Sequence, residues 1–339
     1  MNKILKYDDF LKLPKIELHC HLDGSLRAES VVEEIKLQKI DISEDDINNI
    51  DRLLKAPANC ESLVDYLSAF DMPLKVLQTE RSIRRFTFEV FEDAYKENIV
   101  YLELRFAPIL HTQKGLDMKS VIAAAIEGMN DAKKKYDIEG GLILCCMKNF
   151  SEEDAIKTVD AGRKFIGNGV IAVDLAGPED EGFAHKFINA MNLANEYGYK
   201  ITVHAGEAGS AQNVLDSIQL LHADRIGHGV RTIESEDIYR LVREKNVLLE
   251  ICPTSNVQTK TVDSLEEHPL IKYFYDGTIF SVNTDNRTVS GTTETDEYSI
   301  VSKLVDMNID DYKKIYYNTV GAIFASEKVK QKLLNRLNK

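Results

Sequence analysis

The chain has 339 residues, of which 44% are apolar and 29% charged, and its formal net charge is −13. That is a globular composition, long enough for two average domains or for one α/β barrel with a large core. The acidic balance argues against a nucleic-acid or anionic-membrane surface and leaves a small molecule as the natural ligand.

In chain order, the N-terminal stretch "MNKILKYDDFLKLPK" is too interrupted by charge for a signal peptide. No apolar run nears the roughly 20 residues of a membrane span. The first strand-like run is "KIELHCH" (15–21). Residues i and i+2 of a strand share a face, so His19 and His21 look one way and Cys20 the other. The connection that follows, 25–98, is long and holds several helical patterns, among them "ESLVDYLSAFDMPLKVLQ", in which Leu63, Tyr66, Leu67 and Phe70 recur at helical spacing. Seven more strands are expected in "IVYLELRFAP" (99–108), "GLILCCM" (141–147), "VIAVDLAG" (170–177), "KITVHAGE" (200–207), "RIGHGV" (225–230), "NVLLEICPTSN" (246–256) and "TIFSVNTDN" (278–286). Several are continuously apolar, as strands buried on both faces of a parallel sheet are.

Helical patterns lie between them. "SEEDAIKTVDAGRKFI" opens on a capping signature, Ser151 with Asp154. "GFAHKFINAMNLANEYG", "SAQNVLDSIQLLHA" and "ESEDIYRLVREKN" each carry one apolar stripe. Eight strand–helix units predict an α/β fold of the (β/α)8 TIM-barrel type, a single domain over 1–339. Residues 25–98 form a helical insertion at the face where barrel enzymes work, a candidate lid, and 294–339 add further helices. An open doubly wound sheet is the alternative, but no GxGxxG follows the first strand. The five cysteines have no regular spacing and read as buried thiols of a reducing, cytoplasmic compartment.

The chemistry falls at the strand ends. His19 and His21 end the first strand, His204 and Glu207 the fifth, His228 the sixth and Asp285 the eighth. Three imidazoles and one carboxylate suit a catalytic Zn²⁺ with an open position. The fourth strand ends in "VDLAG" without a lysine to bridge a second metal, so one ion is expected. Zinc makes hydroxide available at neutral pH; Glu207 is free to donate a proton, and His228 to orient the hydroxide or carry charge. The expected reaction is hydrolysis at an sp² carbon. His111, His185, His222 and His268 fall in loops or helices and read as packing residues.

"ELHCHLDGSL", "VDLAGPE", "HAGE", "IGHG", "CPTSN" and "NTDN" resemble, in order and over nearly the whole chain, the motifs of the adenosine deaminase family in the amidohydrolase superfamily. The resemblance implies a zinc barrel that hydrolyses adenosine, and 2′-deoxyadenosine, to inosine and ammonia in purine salvage. It implies one zinc on His19, His21, His204 and Asp285, with Glu207, His228 and Asp285 catalytic. It places His21, Asp23, Gly177 and Asn286 at the substrate: Asp23 on the ribose 5′ side and the Gly177 N–H on purine N3. It lays Leu63, Tyr66, Leu67 and Phe70 over ribose and purine. Cytidine-type zinc deaminases are excluded, since "ICPTS" lacks the second cysteine of their P-C-x-x-C. The rivals are a deaminase of another 6-aminopurine (adenine, a methylated nucleotide or a modified nucleoside) and a non-catalytic relative. One departure stands out. The last motif often ends in two aspartates, whereas here Asn286 holds the second place, an amide that can donate to purine N7 without being protonated first. "CPTSN" has no role from the residues alone beyond shaping the strand 7 loop.

Overall fold

The structure, a computed structural model, describes residues 3–57, 60 and 63–337. Eight parallel strands run in chain order around one sheet: β1 (Lys15–His21), β2 (Ile99–Phe106), β3 (Glu139–Met147), β4 (Val170–Ala176), β5 (Lys200–Ala205), β6 (Arg225–His228), β7 (Leu248–Ile251) and β8 (Phe280–Val282). Each pairs with its successor. The ring closes where the chain leaves β8. There the Asp285 N–H donates to the His19 carbonyl at 2.8 Å, and the His21 N–H to the Asp285 carbonyl at 2.7 Å. Helices follow the strands around the outside, as in a (β/α)8 barrel.

The alternation of strand side chains sorts two environments. Ile16, Leu18, Leu102, Leu104, Val173, Leu175 and Ile201 join the apolar cluster that continues to Leu333 in the last helix. The alternate positions carry Glu17, His19, Glu103, Arg105, Asp174, His204, Arg225 and Glu250, all buried. These strands are therefore not continuously apolar. The charges of Glu103, Arg105, Asp174, Arg225 and Glu250 survive burial because they form one bonded network. Arg105 donates to Asp174 at 2.9 Å and to Glu250 at 2.7 Å, and Arg225 donates to Glu250 at 2.7 Å and to Glu103.

Local chemistry sets the outer helices. Ser151 accepts from the Asp154 N–H at 3.2 Å and starts the helix Glu152–Gly162. Gly198, at φ +86°, ends the helix Ile188–Tyr197. The stripe expected over 182–198 is broken at Phe187, with a 3₁₀ turn (Phe183–Lys186) ahead of the α-helix. β7 and β8 stop earlier than expected, at Ile251 and Val282. Pro253 opens a helix over Pro253–Gln258, which takes "PTSN" out of the strand. Beyond β8 the side chains of Asn283 and Thr284 make the bonds to β1 that strand backbone would otherwise make: Leu18 N–H to Asn283 Oδ1 at 3.0 Å, and Thr284 Oγ1 to Glu17 Oε2 at 2.8 Å.

The insertion after β1 is helical, with Ala28–Gln38, Glu44–Asn48, Asp51–Leu54, Leu63–Leu67 and Asp71–Val76 ahead of the regular barrel helix Glu80–Lys96. After β8 come Glu294–Val305, Ile309–Ala322 and Glu327–Leu337. Among the described residues no helix is long and apolar enough to cross a membrane.

Candidate active site

His19, His204, His228 and Asp285 offer ligand atoms that all lie within 4.8 Å of one another, and all four are buried. His21 joins them from the rim, its Nε2 3.3 Å from both His204 Nε2 and Asp285 Oδ1. The backbone at the ends of β6 and β8 turns sharply to aim two of these groups. His228 at φ +61° and Asp285 at φ +60° sit in the left-handed region, which non-glycine residues enter at a cost.

The buried network at the mid-barrel holds these rings. His19 Nδ1 is 2.8 Å from Glu250 Oε2, and His204 Nδ1 is 2.9 Å from Asp174 Oδ2. Each carboxylate takes the Nδ1–H and leaves the Nε2 lone pair facing the cluster. His19 Nε2 is buried without a hydrogen-bond partner. Lone pairs of several rings and an oxygen of Asp285, pointed at one another at 3.3 Å, fit a cation between them. Ser255 donates to the other oxygen of Asp285 at 2.6 Å.

Glu207 lies beside the cluster, its Oε2 3.5 Å from His228 Nε2. Burial first, then the charges of Asp285 and Glu179, push its carboxyl up to about 8. Its loop is held by Glu179, whose two oxygens accept the N–H groups of Gly206, Glu207 and Ala208 at 2.8–2.9 Å. Lys148 lies behind; burial lowers its pKa, and the charges of Glu179 and Glu207 oppose that.

A cavity of about 260 Å³ opens onto this cluster, at the small end of the range for ligand sites. Its lining includes His21, Asp23, Gly177, Glu207 and Asn286. Asp23 Oδ1 is buried without a partner, and burial pushes that carboxyl up to about 7. Gly177, at φ +95°, turns the chain at the end of β4. Asn286 Oδ1 is packed against Gly24, so tightly that a Cβ on Gly24 would overlap it.

The insertion roofs the cavity with Tyr66, Leu67, Phe70 and Leu74. Tyr66 is buried and shares a 2.6 Å hydrogen bond with Ser290, which ties the roof to the short helix Arg287–Ser290 after β8. The side chain of Leu63 lies outside the described residues.

All the sequence-predicted site residues whose side chains are described thus meet at one end of the barrel. Glu250, Asp174, Glu179, Ser255 and Asn256 join them without having been singled out. A lone acid inside an otherwise apolar strand, as in "VLLEIC" and "VIAVDLA", is the signal that marks Glu250 and Asp174. His268 is buried and hydrogen-bonded, as a packing histidine would be, and its ring is bonded to Asn256 and through it to His228. His185 and His222 lie away from the cluster, on Asp216 and Asn192.

The model of the adenosine deaminase family matches residues 14–339. A curated adenosine deaminase of Clostridium perfringens is 47% identical over 325 residues, 96% of this chain and 98% of that one. Among solved structures, the N6-mAMP deaminase of Arabidopsis superposes with a TM-score of 0.87 at 26% identity, covering 98% of this chain and 99% of its own. An adenine deaminase from Arthrobacter aurescens does so with a TM-score of 0.88 at 25% identity, covering 96% and 98%. The shared barrel thus serves a base in one neighbour and a nucleotide in another, and the long, high-identity sequence match is what sorts among them. On that match the chain belongs to the adenosine deaminase family.

Proposed function

We propose that the protein hydrolyses adenosine, and 2′-deoxyadenosine, to inosine and ammonia, as one metal-dependent domain acting in cytoplasmic purine salvage. The observation that carries this reading is Glu207: a carboxyl that burial keeps protonated near neutrality, in one cavity with a histidine–aspartate cluster. His19, His21, His204 and Asp285 would hold one Zn²⁺, a set of three imidazoles and a carboxylate that suits it. Bound there, the metal supplies a hydroxide-like nucleophile at neutral pH.

The chain's own groups do the rest. Protonated Glu207 donates to purine N1, which draws electrons from C6 and opens it to water. His228 orients that water from beside Glu207. Asp285, steadied by Ser255, accepts the proton the water gives up. Asp285 passes that proton to the amino group, the C6–N bond breaks and ammonia leaves, and the second water hydrogen returns to Glu207 as the C6 oxygen becomes a carbonyl, so adenosine and water balance inosine and ammonia.

Asp23 accepts from the ribose 5′ hydroxyl with its unpartnered oxygen, and once ionised, above about pH 7, it disfavours a phosphate there. That favours a nucleoside over a nucleotide. The N–H of Gly177 serves N3, the Asn286 amide serves N7, and His21 flanks the substrate as well as the metal. Tyr66, Leu67 and Phe70 close over the sugar and base.

The test compares turnover of adenosine, 2′-deoxyadenosine, adenine and AMP, before and after chelation. Adenosine should lead AMP and adenine by at least about 10²-fold, the order of discrimination expected when a buried polar group is left unpaired or a charge is misplaced. Activity should vanish on chelation and return with one zinc per chain. Full activity in metal-stripped protein, or a preference for adenine, would reject the reading.

A further inference from the structure

A line of three side chains runs into the site from the loop before the helix Leu270–Asp276. It begins at a backbone amide. The Leu270 N–H lies 3.0 Å from His268 Nδ1, and an amide can only donate. His268 Nδ1 therefore carries a lone pair, and the ring proton sits on Nε2. That nitrogen is 3.2 Å from Asn256 Oδ1. An Nε2–H needs an acceptor, so the oxygen of the Asn256 amide must face His268 and its nitrogen must face the other way. Asn256 Nδ2 is 3.1 Å from His228 Nδ1 and donates to it. His228 Nδ1 then has no proton, and the proton of that ring sits on Nε2, which faces Glu207 Oε2 at 3.5 Å. Asn256 and His268 are both buried, so no water is needed to complete the line.

The rings that would hold the metal are set the opposite way. His19 and His204 give their Nδ1–H to Glu250 and Asp174 and turn lone pairs inward. At Nδ1 His228 faces, among the described residues, an amide donor in place of an acid. An imidazole nitrogen that carries a proton cannot bind a cation. The four-residue cluster of His19, His204, His228 and Asp285 thus contains one ring wired as a donor.

We infer that Asn256 and His268 are positioning residues that lock His228 in its Nε2–H tautomer, so that it gives a hydrogen bond to the attacking water instead of ligating the metal. The inference rests on the proposed metal-dependent hydrolysis for its purpose, but not for its geometry. It also gives the last residue of "CPTSN" a task, and assigns one to a histidine outside the motifs.

The experiment is nitrogen-15 spectroscopy of the zinc-loaded protein labelled at histidine, with two-bond correlations that show which ring nitrogen bears the proton. His228 and His268 signals are assigned by their loss in His228→Gln and His268→Phe. Both rings should be protonated at Nε2 and bare at Nδ1. Asn256→Asp keeps the shape and replaces the donor by an acceptor. It should move the His228 proton to Nδ1 while His268 keeps its own on Nε2. In the same variant kcat for adenosine should fall by at least a hundredfold with KM within about threefold, whereas a merely structural change would leave the tautomer alone. His268→Phe should leave His228 as a mixture of tautomers. A parent spectrum with His228 protonated at Nδ1 overturns the inference, whether or not either variant folds. An unmoved His228 signal in Asn256→Asp overturns it too. A parent that shows the expected tautomers but ignores adenosine refutes the proposed function and leaves the wiring standing.

Discussion

Glu207 is the residue where activity and stability pull in opposite directions. Its carboxyl titrates at about 8 in the folded chain against 4.5 for an ordinary glutamate. The folded state therefore holds a proton that the unfolded state has already lost between these two values, and stability falls as pH rises through that window. The donor form is also lost above about 8, so kcat/KM for adenosine should decline on the alkaline side. Glu207→Gln should lower kcat by about 10³-fold or more, at the strong end of acid–base effects, while zinc content holds. The same variant should melt higher than the parent at pH 8, and the gap should close as pH approaches 4.5. A variant with a tenth of parental kcat would remove Glu207 from the mechanism. Asn286 supports a second test. Asn286 lines the cavity, and its amide nitrogen carries two hydrogens to give. 7-Deazaadenosine, which lacks the N7 acceptor, should lose about 1–3 kcal/mol in kcat/KM, the cost of an unpaired buried donor. Equal values for the two nucleosides would show that Asn286 does not read N7. His19, His21, His204, Glu207, His228 and Asp285 are legible in the sequence because each ends an apolar run. Asp174, Glu250 and Asn256 are not, because their meaning lies in partners on other strands, 30, 231 and 28 residues away.

The eight strands are legible for a related reason. Parallel strands covered by helices give short apolar runs, and turn residues end them. Where the runs mislead, side chains take over from backbone. "PTSN", the end of the seventh run, becomes helix, because Pro253 has no N–H to give a ladder and suits a first helical turn. The insertion is legible as helical and as a candidate lid, but not the bond that fastens it, since Tyr66 and Ser290 lie 224 residues apart. This roof carries the third test. Phe70 is half-buried over the cavity, its ring 6.3 Å from that of Tyr66. Phe70→Ala should raise KM for adenosine about tenfold, the order expected from losing one apolar contact to a ligand, and leave zinc content unchanged. Hydrogen exchange over Leu63–Val76 should slow when a tight purine inhibitor binds. Exchange that ignores the inhibitor would mean the segment is fixed structure and not a lid.

At the scale of the whole molecule the barrel stands on an apolar shell and a charged interior. Arg105 and Arg225, wholly buried, each bridge acids from different strands. Removing one such partner leaves an uncompensated buried charge and costs several kcal/mol. The seam between the first and last strands is made differently. Its backbone bonds run through His19, His21 and Asp285, three groups of the candidate metal site. Leu18 and Asn283, which meet beside them, are 265 residues apart in the chain. Contacts so distant in sequence are the slowest to form. The seam is thus a clasp, and a metal across it would act as the pin. Release of the ion and parting of the first strand from the last then become steps of one opening motion. The amide protons of His21 and Asp285 report on it. In metal-stripped protein they should exchange well ahead of those in the β2–β3–β4 wall, and stoichiometric zinc should slow them selectively. Uniform exchange around the ring, untouched by zinc, would mean that the barrel closes without its pin. On this view a chain cut short before Asp285 has no clasp to fasten, so the ability to retain zinc arrives only when the last strand does.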